Sequence, residues 1–222
     1  MVYFALGDDM NIIIAGIQGS GKGTQSALLA ETFNLKHIST GDVLRRHITD
    51  KTEFGIKYEE ENAKGNLAPD EILFDIVEYE TKNLDGKSGY ILDGFPRTQA
   101  QADWTTETLD VDYVILLDIP EQVATERLKR RGRVDDTVEA ITNRIATYKA
   151  QTLPAIDSLG IDIKFECNGY APDQLAAQLT HDILGLPYPK MDSIWIGAMA
   201  LSVIRISAIG AFFAACLYSV IK

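Results

Sequence analysis

The chain has 222 residues, 46% of them hydrophobic and 24% charged, with a formal net charge of -11. This length and composition are typical of one α/β domain with a hydrophobic core, and they exclude collagen-like, wholly disordered and disulfide-rich proteins. The negative charge argues against a general nucleic-acid binder, which needs a basic surface. Cys167 and Cys216 lie far apart and near no histidine pair. They therefore predict two reduced thiols and no zinc site.

Short apolar runs alternate with helical patterns along most of the chain. Alternation of this kind predicts βαβ units, a parallel sheet and ligands at the carboxyl ends of the strands. The predicted strands span residues 10–15, 36–39, 89–93, 113–118 and 162–167. Predicted helices span residues 21–33, 55–64 and 70–83, begin at residue 42, and follow each of the last three strands.

The two ends of the chain differ from this pattern. Residues 1–9 are expected to form a leader, which leaves Met1 and Met10 both open as the start residue. Residues 187–193 form a predicted linker, and residues 194–221 are mostly apolar with one charge, Arg205. Since about 20 apolar residues cross a bilayer, 194–221 is expected to be a C-terminal apolar helix that attaches a cytoplasmic catalytic domain to a membrane.

A glycine-rich loop follows the first predicted strand. Residues 16–24 read GIQGSGKGT, with Lys22 at the expected start of a helix. Glycines let consecutive backbone N–H groups face one anion, and the helix N-terminus adds positive potential. The strict phosphate-loop pattern has Ser or Thr directly after the lysine, whereas here Gly23 intervenes before Thr24. The context nevertheless predicts a phosphate-binding loop.

Two further strand ends carry candidate acceptor-binding residues. Thr40 and Arg45 follow the second strand, where Asp42 is expected to cap the helix. Asp93 ends the third strand at the position where a phosphate-loop fold holds magnesium through water. Arg97 follows on a stiff Phe-Pro turn and is suited to bidentate contact with a phosphate.

A run of arginines follows the fourth strand in this otherwise acidic chain. Arg127, Arg131 and Arg133 precede an expected capping box from Asp136 to Glu139, and Arg144 is expected to point back at Arg133. Such a concentration of positive charge suggests a bound polyanion. The set contains no convincing general base, which fits transfer to a phosphate oxygen, because that acceptor is already ionised near neutral pH.

Five motifs in order closely resemble the adenylate kinase family. They are GIQGSGKGTQ from Gly16, STGDVLR from Ser39, GNLAPDE from Gly65, DGFPRTQAQ from Asp93 and RGRVDDT from Arg131. The resemblance implies a kinase domain over residues 10–186, a P-loop fold with a five-stranded parallel sheet flanked by helices, an AMP-binding segment at about 39–68 and a minimal lid at about 131–135. The implied reaction is reversible, magnesium-dependent phosphoryl transfer from ATP to AMP, giving two ADP, by a monomeric catalytic domain without zinc.

The resemblance also implies roles for individual residues. The ATP-binding set is Gly19, Ser20, Gly21, Lys22, Gly23, Thr24, Arg127, Arg131 and Ala171. The AMP-binding set is Thr40, Arg45, Asn66, Leu67, Ala68, Gly94, Phe95, Pro96, Arg97, Gln101, Arg133 and Arg144. The catalytic residues would be Lys22, Arg97, Arg131, Arg133 and Arg144, with Asp93 holding magnesium through water.

Two alternatives stay open from the residues. A pyrimidine (UMP/CMP) monophosphate kinase has the same fold, although Thr40 and Gln101 favour AMP by resemblance. A membrane-anchored P-loop ATPase or switch would lack an acceptor site. The candidate acceptor-binding residues argue against this alternative; they are Arg45, Arg97 and Gln101. The sequence departs from the family at Gln18, where proline is usual, in its short lid and in its apolar tail.

Overall fold

Five parallel strands form the centre of the computed structural model, which describes residues 9–185. The strands are β1 (Met10–Gly16), β2 (Lys36–Ser39), β3 (Gly89–Asp93), β4 (Tyr113–Asp118) and β5 (Ile163–Glu166). Their order in the sheet is β2-β3-β1-β4-β5, and all four neighbouring pairs are parallel. The predicted α/β class and five-stranded parallel sheet are confirmed.

Helices connect the strands and cover both faces of the sheet. They are α1 (Lys22–Phe33), α2 (Thr40–Thr49), α3 (Glu53–Lys64), α4 (Asp70–Lys82), α5 (Gln99–Thr108), α6 (Glu121–Arg131), α7 (Val138–Thr147), α8 (Leu153–Leu159) and α9 (Pro172–Leu184). A π-helical segment, Tyr148–Thr152, joins α7 to α8.

The central strand β1 contributes to two hydrophobic cores. Ile12 and Ile14 pack on one face with side chains from α1, α6 and α9, whereas Ile13 packs on the other with side chains from α2, α4 and α8. Alternate residues of a strand point to opposite faces, so a strand covered on both sides reads as a continuous apolar run. This burial fixes β1, and the glycine-rich loop that follows it, in the middle of the sheet.

Two predicted helix caps are wrong. The N-cap of α2 is Ser39, whose Oγ accepts the Asp42 backbone N–H at 3.3 Å, so Asp42 lies in the first turn instead. The N-cap of α7 is Thr137, whose Oγ1 accepts from the Ala140 N–H at 3.1 Å. Asp136 does not cap that helix, because arginine side chains occupy its carboxylate.

Several predictions concern parts of the chain outside the described residues. These are the leader up to residue 8, the linker 187–193, the apolar stretch 194–221 and Cys216. Within residues 9–185, no helix is long and apolar enough to cross a membrane. In the same range, no group of three or more histidine, cysteine, aspartate or glutamate side chains is arranged to hold a metal ion.

Candidate nucleotide-binding site

A cleft of about 760 Å³ lies at the carboxyl ends of the strands. Three carboxylates line it, those of Asp42, Asp93 and Asp135, against seven cationic side chains. The cations are Lys22, Arg45, Arg97, Arg127, Arg131, Arg133 and Arg144. In a chain with net charge -11, this cleft gathers an excess of positive charge on one concave surface. The cleft is therefore suited to a polyanion.

The glycine-rich loop between β1 and α1 forms the base of the cleft. Gly16, Gly19 and Gly21 all have positive φ. A Cβ on Gly16 would lie 2.4 Å from the carbonyl oxygen of Leu117, and a Cβ on Gly19 would lie 2.7 Å from that of Ala124. The first two glycines thus allow close backbone contact as well as the turn. The loop delivers the chain to the N-terminus of α1, which favours anions.

Lys22 is the first residue of α1, and its ammonium group is held by the loop itself. Its Nζ donates to the carbonyl oxygens of Gly16 at 2.7 Å and Ile17 at 3.1 Å. Burial lowers the pKa of Lys22 to about 8; the nearby Asp93 carboxylate opposes this shift, while the Arg97 charge adds to it. Placing a phosphate here would stabilise the charged ammonium.

Arg127 connects helix α6 to the same loop. Its Nη1 donates to the carbonyl oxygens of Gly19 and Ser20, both at 3.4 Å. Gln25 fixes the other side of the loop, because its Nε2 donates to the carbonyl oxygen of Pro172 at 2.9 Å. Pro172 lines the cleft. Ala171, which was predicted to bind ATP, precedes it in the chain but does not line the cleft.

Asp93 is only 9% exposed and ends β3 in the wall of the cleft. A Cβ on Gly23 would be 3.5 Å from its Oδ2, so the carboxylate faces the loop. Hard oxygen donors of this kind suit Mg²⁺, which usually keeps several waters. His37 also lines the cleft, with Nε2 at 3.8 Å from Asp93 Oδ2. His37 belongs to no spaced histidine pair in the sequence, so residue spacing does not predict its place in the cleft.

Arg97 is fixed at the edge of the cleft by the backbone around it. Its Nε donates to the carbonyl oxygen of Gly94 at 2.6 Å, and its backbone N–H donates to Gln101 Oε1 at 2.7 Å. Thr152 Oγ1 donates to the Arg97 carbonyl oxygen at 3.1 Å. Burial lowers the pKa of the Arg97 guanidinium below its usual value. Arg45, across the cleft, forms an ion pair with Asp42.

Other residues predicted for the acceptor side lie outside the cleft lining. Thr40 is buried and donates through Oγ1 to the Asp93 carbonyl oxygen at 3.3 Å. Gln101 is also fully buried. Leu67 and Ala68 line a second cavity of about 710 Å³, which Asn66 shares with the cleft. Phe95 and Pro96 line a third cavity of about 20 Å³, beneath Lys22 and Arg97.

The lid arginines are organised by two aspartates that sequence reasoning missed as functional residues. Arg131 makes a two-point contact with Asp136, Nε to Oδ2 at 2.9 Å and Nη2 to Oδ1 at 2.7 Å. Arg144 contacts Asp136 Oδ1 at 3.0 Å and Asp135 Oδ2 at 2.5 Å. These carboxylates orient Arg144 and offset the repulsion between the guanidinium groups of the lid.

Helix α7 also holds the predicted AMP-binding segment. Asn143 Nδ2 donates to the Lys64 carbonyl oxygen at 2.9 Å and to Asn66 Oδ1 at 2.8 Å. A Cβ on Gly65 would lie 2.7 Å from the Ala140 carbonyl oxygen, so the two backbones touch. Residues 64–66 of the predicted AMP-binding segment therefore lie against the helix that carries Arg144.

Comparison with known proteins identifies the family. The family model described as Adenylate kinase matches residues 14–161. The chain belongs to the adenylate kinase family. It is 45% identical over 157 residues to an adenylate kinase of Bifidobacterium longum, covering 67% of this chain and 84% of the relative. It is 40% identical over 178 residues to adenylate kinase 1 of a Nostoc species, covering 78% and 95%. An adenylate kinase of Methanothrix thermoacetophila is 38% identical over 183 residues, covering 67% and 85%.

Membership in the adenylate kinase family gives the cleft a chemical class. The chain is a phosphotransferase with a nucleotide-binding, P-loop fold, as its motifs predicted. Most of the length of these relatives aligns with this chain. Residues 9–185 contain all five motifs identified in the sequence.

Proposed function

We propose that this protein catalyses reversible phosphoryl transfer from ATP to AMP, giving two ADP. The proposal rests mainly on one observation. The phosphate-binding loop, Arg97 and five further arginines line the same cleft. One nucleotide would place its phosphates on the loop and Lys22. The second would place its phosphate on Arg45 and Arg97.

Positioning and charge stabilisation supply the catalysis in this proposal. Arg131, Arg133 and Arg144 neutralise the charge that spreads over the transferred phosphoryl group, while the loop N–H groups and Lys22 hold the donor phosphates. The acceptor phosphate is ionised near neutral pH and needs no general base. Asp93 would hold Mg²⁺ through water, and the ion would supply positive charge that offsets the charge of the phosphates.

One acceptor panel tests this function against the alternatives. ADP formation from Mg-ATP is measured with AMP, CMP, UMP or GMP, and with no acceptor. We expect AMP to give the highest kcat/KM, because a polar base site rejects bases that leave its groups unpaired. Equal or better turnover with CMP or UMP would identify a pyrimidine nucleotide kinase. ATP hydrolysis that is independent of any acceptor would identify an ATPase or switch.

The proposal extends to location on the basis of the sequence alone. The apolar residues 194–221 would anchor a cytoplasmic, monomeric kinase domain to a membrane, although Arg205 at the bilayer centre would cost roughly 2.5–3.5 kcal/mol. Truncation after Pro189 should give a soluble, active monomer, because every motif precedes that residue. The full chain should stay with membranes during alkaline carbonate extraction. Recovery of the full chain as a soluble monomer without detergent would refute the anchor.

A further inference from the structure

A carboxylate outside the nucleotide cleft joins the start of α4 to the start of α5. Asp70, the first residue of α4, accepts from Gln101 Nε2 through Oδ1 at 2.6 Å and from Thr98 Oγ1 through Oδ2 at 3.2 Å. Thr98 is the N-cap of α5 and accepts the Gln101 backbone N–H at 3.2 Å. Both carboxylate oxygens are therefore engaged by residues at the beginning of one helix.

The Gln101 side chain continues this network to the cleft. It is fully buried, and its Oε1 accepts the Arg97 backbone N–H at 2.7 Å. The opposite orientation of the amide would place Oε1 against the Asp70 carboxylate and the NH₂ group against the Arg97 N–H. Both contacts would then be repulsive. Asp70 thus sets the direction of the amide, and the amide in turn holds the backbone of Arg97.

Arg97 is the residue of this hydrogen-bond network that reaches the nucleotide cleft. Arg97 lines the cleft, whereas Asp70 and Thr98 line the second cavity together with residues of the AMP-binding segment. A small rotation of the Arg97 backbone moves a long side chain at its tip, and bidentate contact with a phosphate tolerates little misalignment. The position of a carboxylate remote from the cleft is therefore coupled to the geometry of its acceptor side.

We propose that Asp70 is a positioning residue for the acceptor nucleotide, acting through Gln101 on Arg97. The inference rests on the proposed function, which assigns Arg97 to the acceptor phosphate and includes Gln101 in the AMP-binding set. It predicts that loss of the Asp70 carboxylate weakens acceptor binding selectively. Among the described residues, no hydrogen bond joins the phosphate-binding loop (residues 16–24) to this network, so the loop should keep its affinity for ATP.

The test compares Asp70→Ala, Asp70→Asn and Glu71→Ala in the full chain. Asp70→Ala removes the acceptor for Gln101, and hydrogen bonds to charged groups typically contribute about 1.5–3 kcal/mol. We expect the KM for AMP to rise about tenfold, with the KM for ATP changed less than about twofold and kcat less than about threefold. Asp70→Asn keeps an oxygen for Gln101 Nε2 and should restore most of the AMP affinity.

Glu71→Ala is the matched control. Glu71 is the exposed neighbour in the first turn of α4, so its removal costs the same helix-dipole interaction without touching Gln101. It should leave both KM values unchanged. Gln101→Ala, alone and combined with Asp70→Ala, completes a double-mutant cycle. If Asp70 acts through Gln101, the double variant should be little worse than Gln101→Ala alone.

Three outcomes would overturn the inference. They are an unchanged KM for AMP in Asp70→Ala, a parallel rise in the KM for ATP and AMP together with a lower Tm, and additive effects in the cycle. Failure of the proposed function looks different, because the unsubstituted protein would then prefer another acceptor in the panel. In that case the same KM comparison is made with the preferred acceptor.

Discussion

The lowered pKa of Lys22 predicts that ATP affinity depends on pH between 7 and 9. Free Lys22 has a pKa of about 8 because of burial, so it is about 90% charged at pH 7 and about 10% charged at pH 9. Bound phosphates would raise this pKa and keep the ammonium charged. ATP binding above pH 8 must then take up a proton, and the affinity should fall about tenfold from pH 7 to pH 9.

Calorimetric titration of ATP in buffers of different ionisation enthalpy measures both the ATP affinity and the number of protons taken up on binding. We expect an uptake of about 0.1 proton at pH 7 and about 0.9 at pH 9. Cys167 also lines the cleft, but burial raises its pKa to about 11, so its thiol stays protonated throughout this range. Lys22→Met should abolish the proton uptake. It should also slow turnover by raising the activation free energy by at least ~3 kcal/mol. A flat affinity from pH 7 to pH 9, or the same decline in Lys22→Met, would refute the reasoning.

Two further predictions address the acceptor side and the fold. Arg97→Ala should raise the KM for AMP and slow transfer, because it removes the proposed bidentate contact with the acceptor phosphate. ATP affinity should stay nearly unchanged, because the phosphate-binding loop is intact. Titrations that show ATP binding lost and AMP binding intact would mean that the two sites are exchanged. Gly55→Ala should lower the free energy of unfolding by about 1–3 kcal/mol. The alanine Cβ would lie 2.0 Å from the His47 carbonyl oxygen, where α3 meets α2. An unchanged denaturation midpoint would contradict this contact.

The sequence predicted the sheet because its signals are local. β1, β3 and β4 are short apolar runs that end in a glycine or an aspartate, as expected of strands that are covered on both faces. The strands at 36–39, 89–93 and 113–118 were predicted to the residue. The glycine-rich loop was equally readable, since its strained backbone conformation requires glycine at Gly16, Gly19 and Gly21.

The missed features depend on contacts between residues that only the fold brings together. The spacing of Asp136 and Glu139 suggested a capping box, but a competing pair of arginines occupies the Asp136 carboxylate and leaves the cap to Thr137. The burial of Gln101 and its bond to Asp70, 31 positions away, leave no periodic trace in the sequence. His37 joins the site because β2 lies beside β3 in the sheet, a neighbour relation that spacing does not encode.

The partners of the cations divide the cleft into two electrostatic regions. In the lid, Arg131 and Arg144 share Asp136, so much of their charge is already offset by a carboxylate. At the base, Lys22 and Arg97 donate to backbone carbonyl oxygens, which orient a cation without cancelling its charge. Asp93 is the carboxylate whose charge acts on both Lys22 and Arg97, but it makes no direct ion pair with either, so we expect phosphates to bind at the base first. Asp136 already pairs with both lid arginines, so we expect a phosphate to engage their guanidinium groups only in competition with that carboxylate.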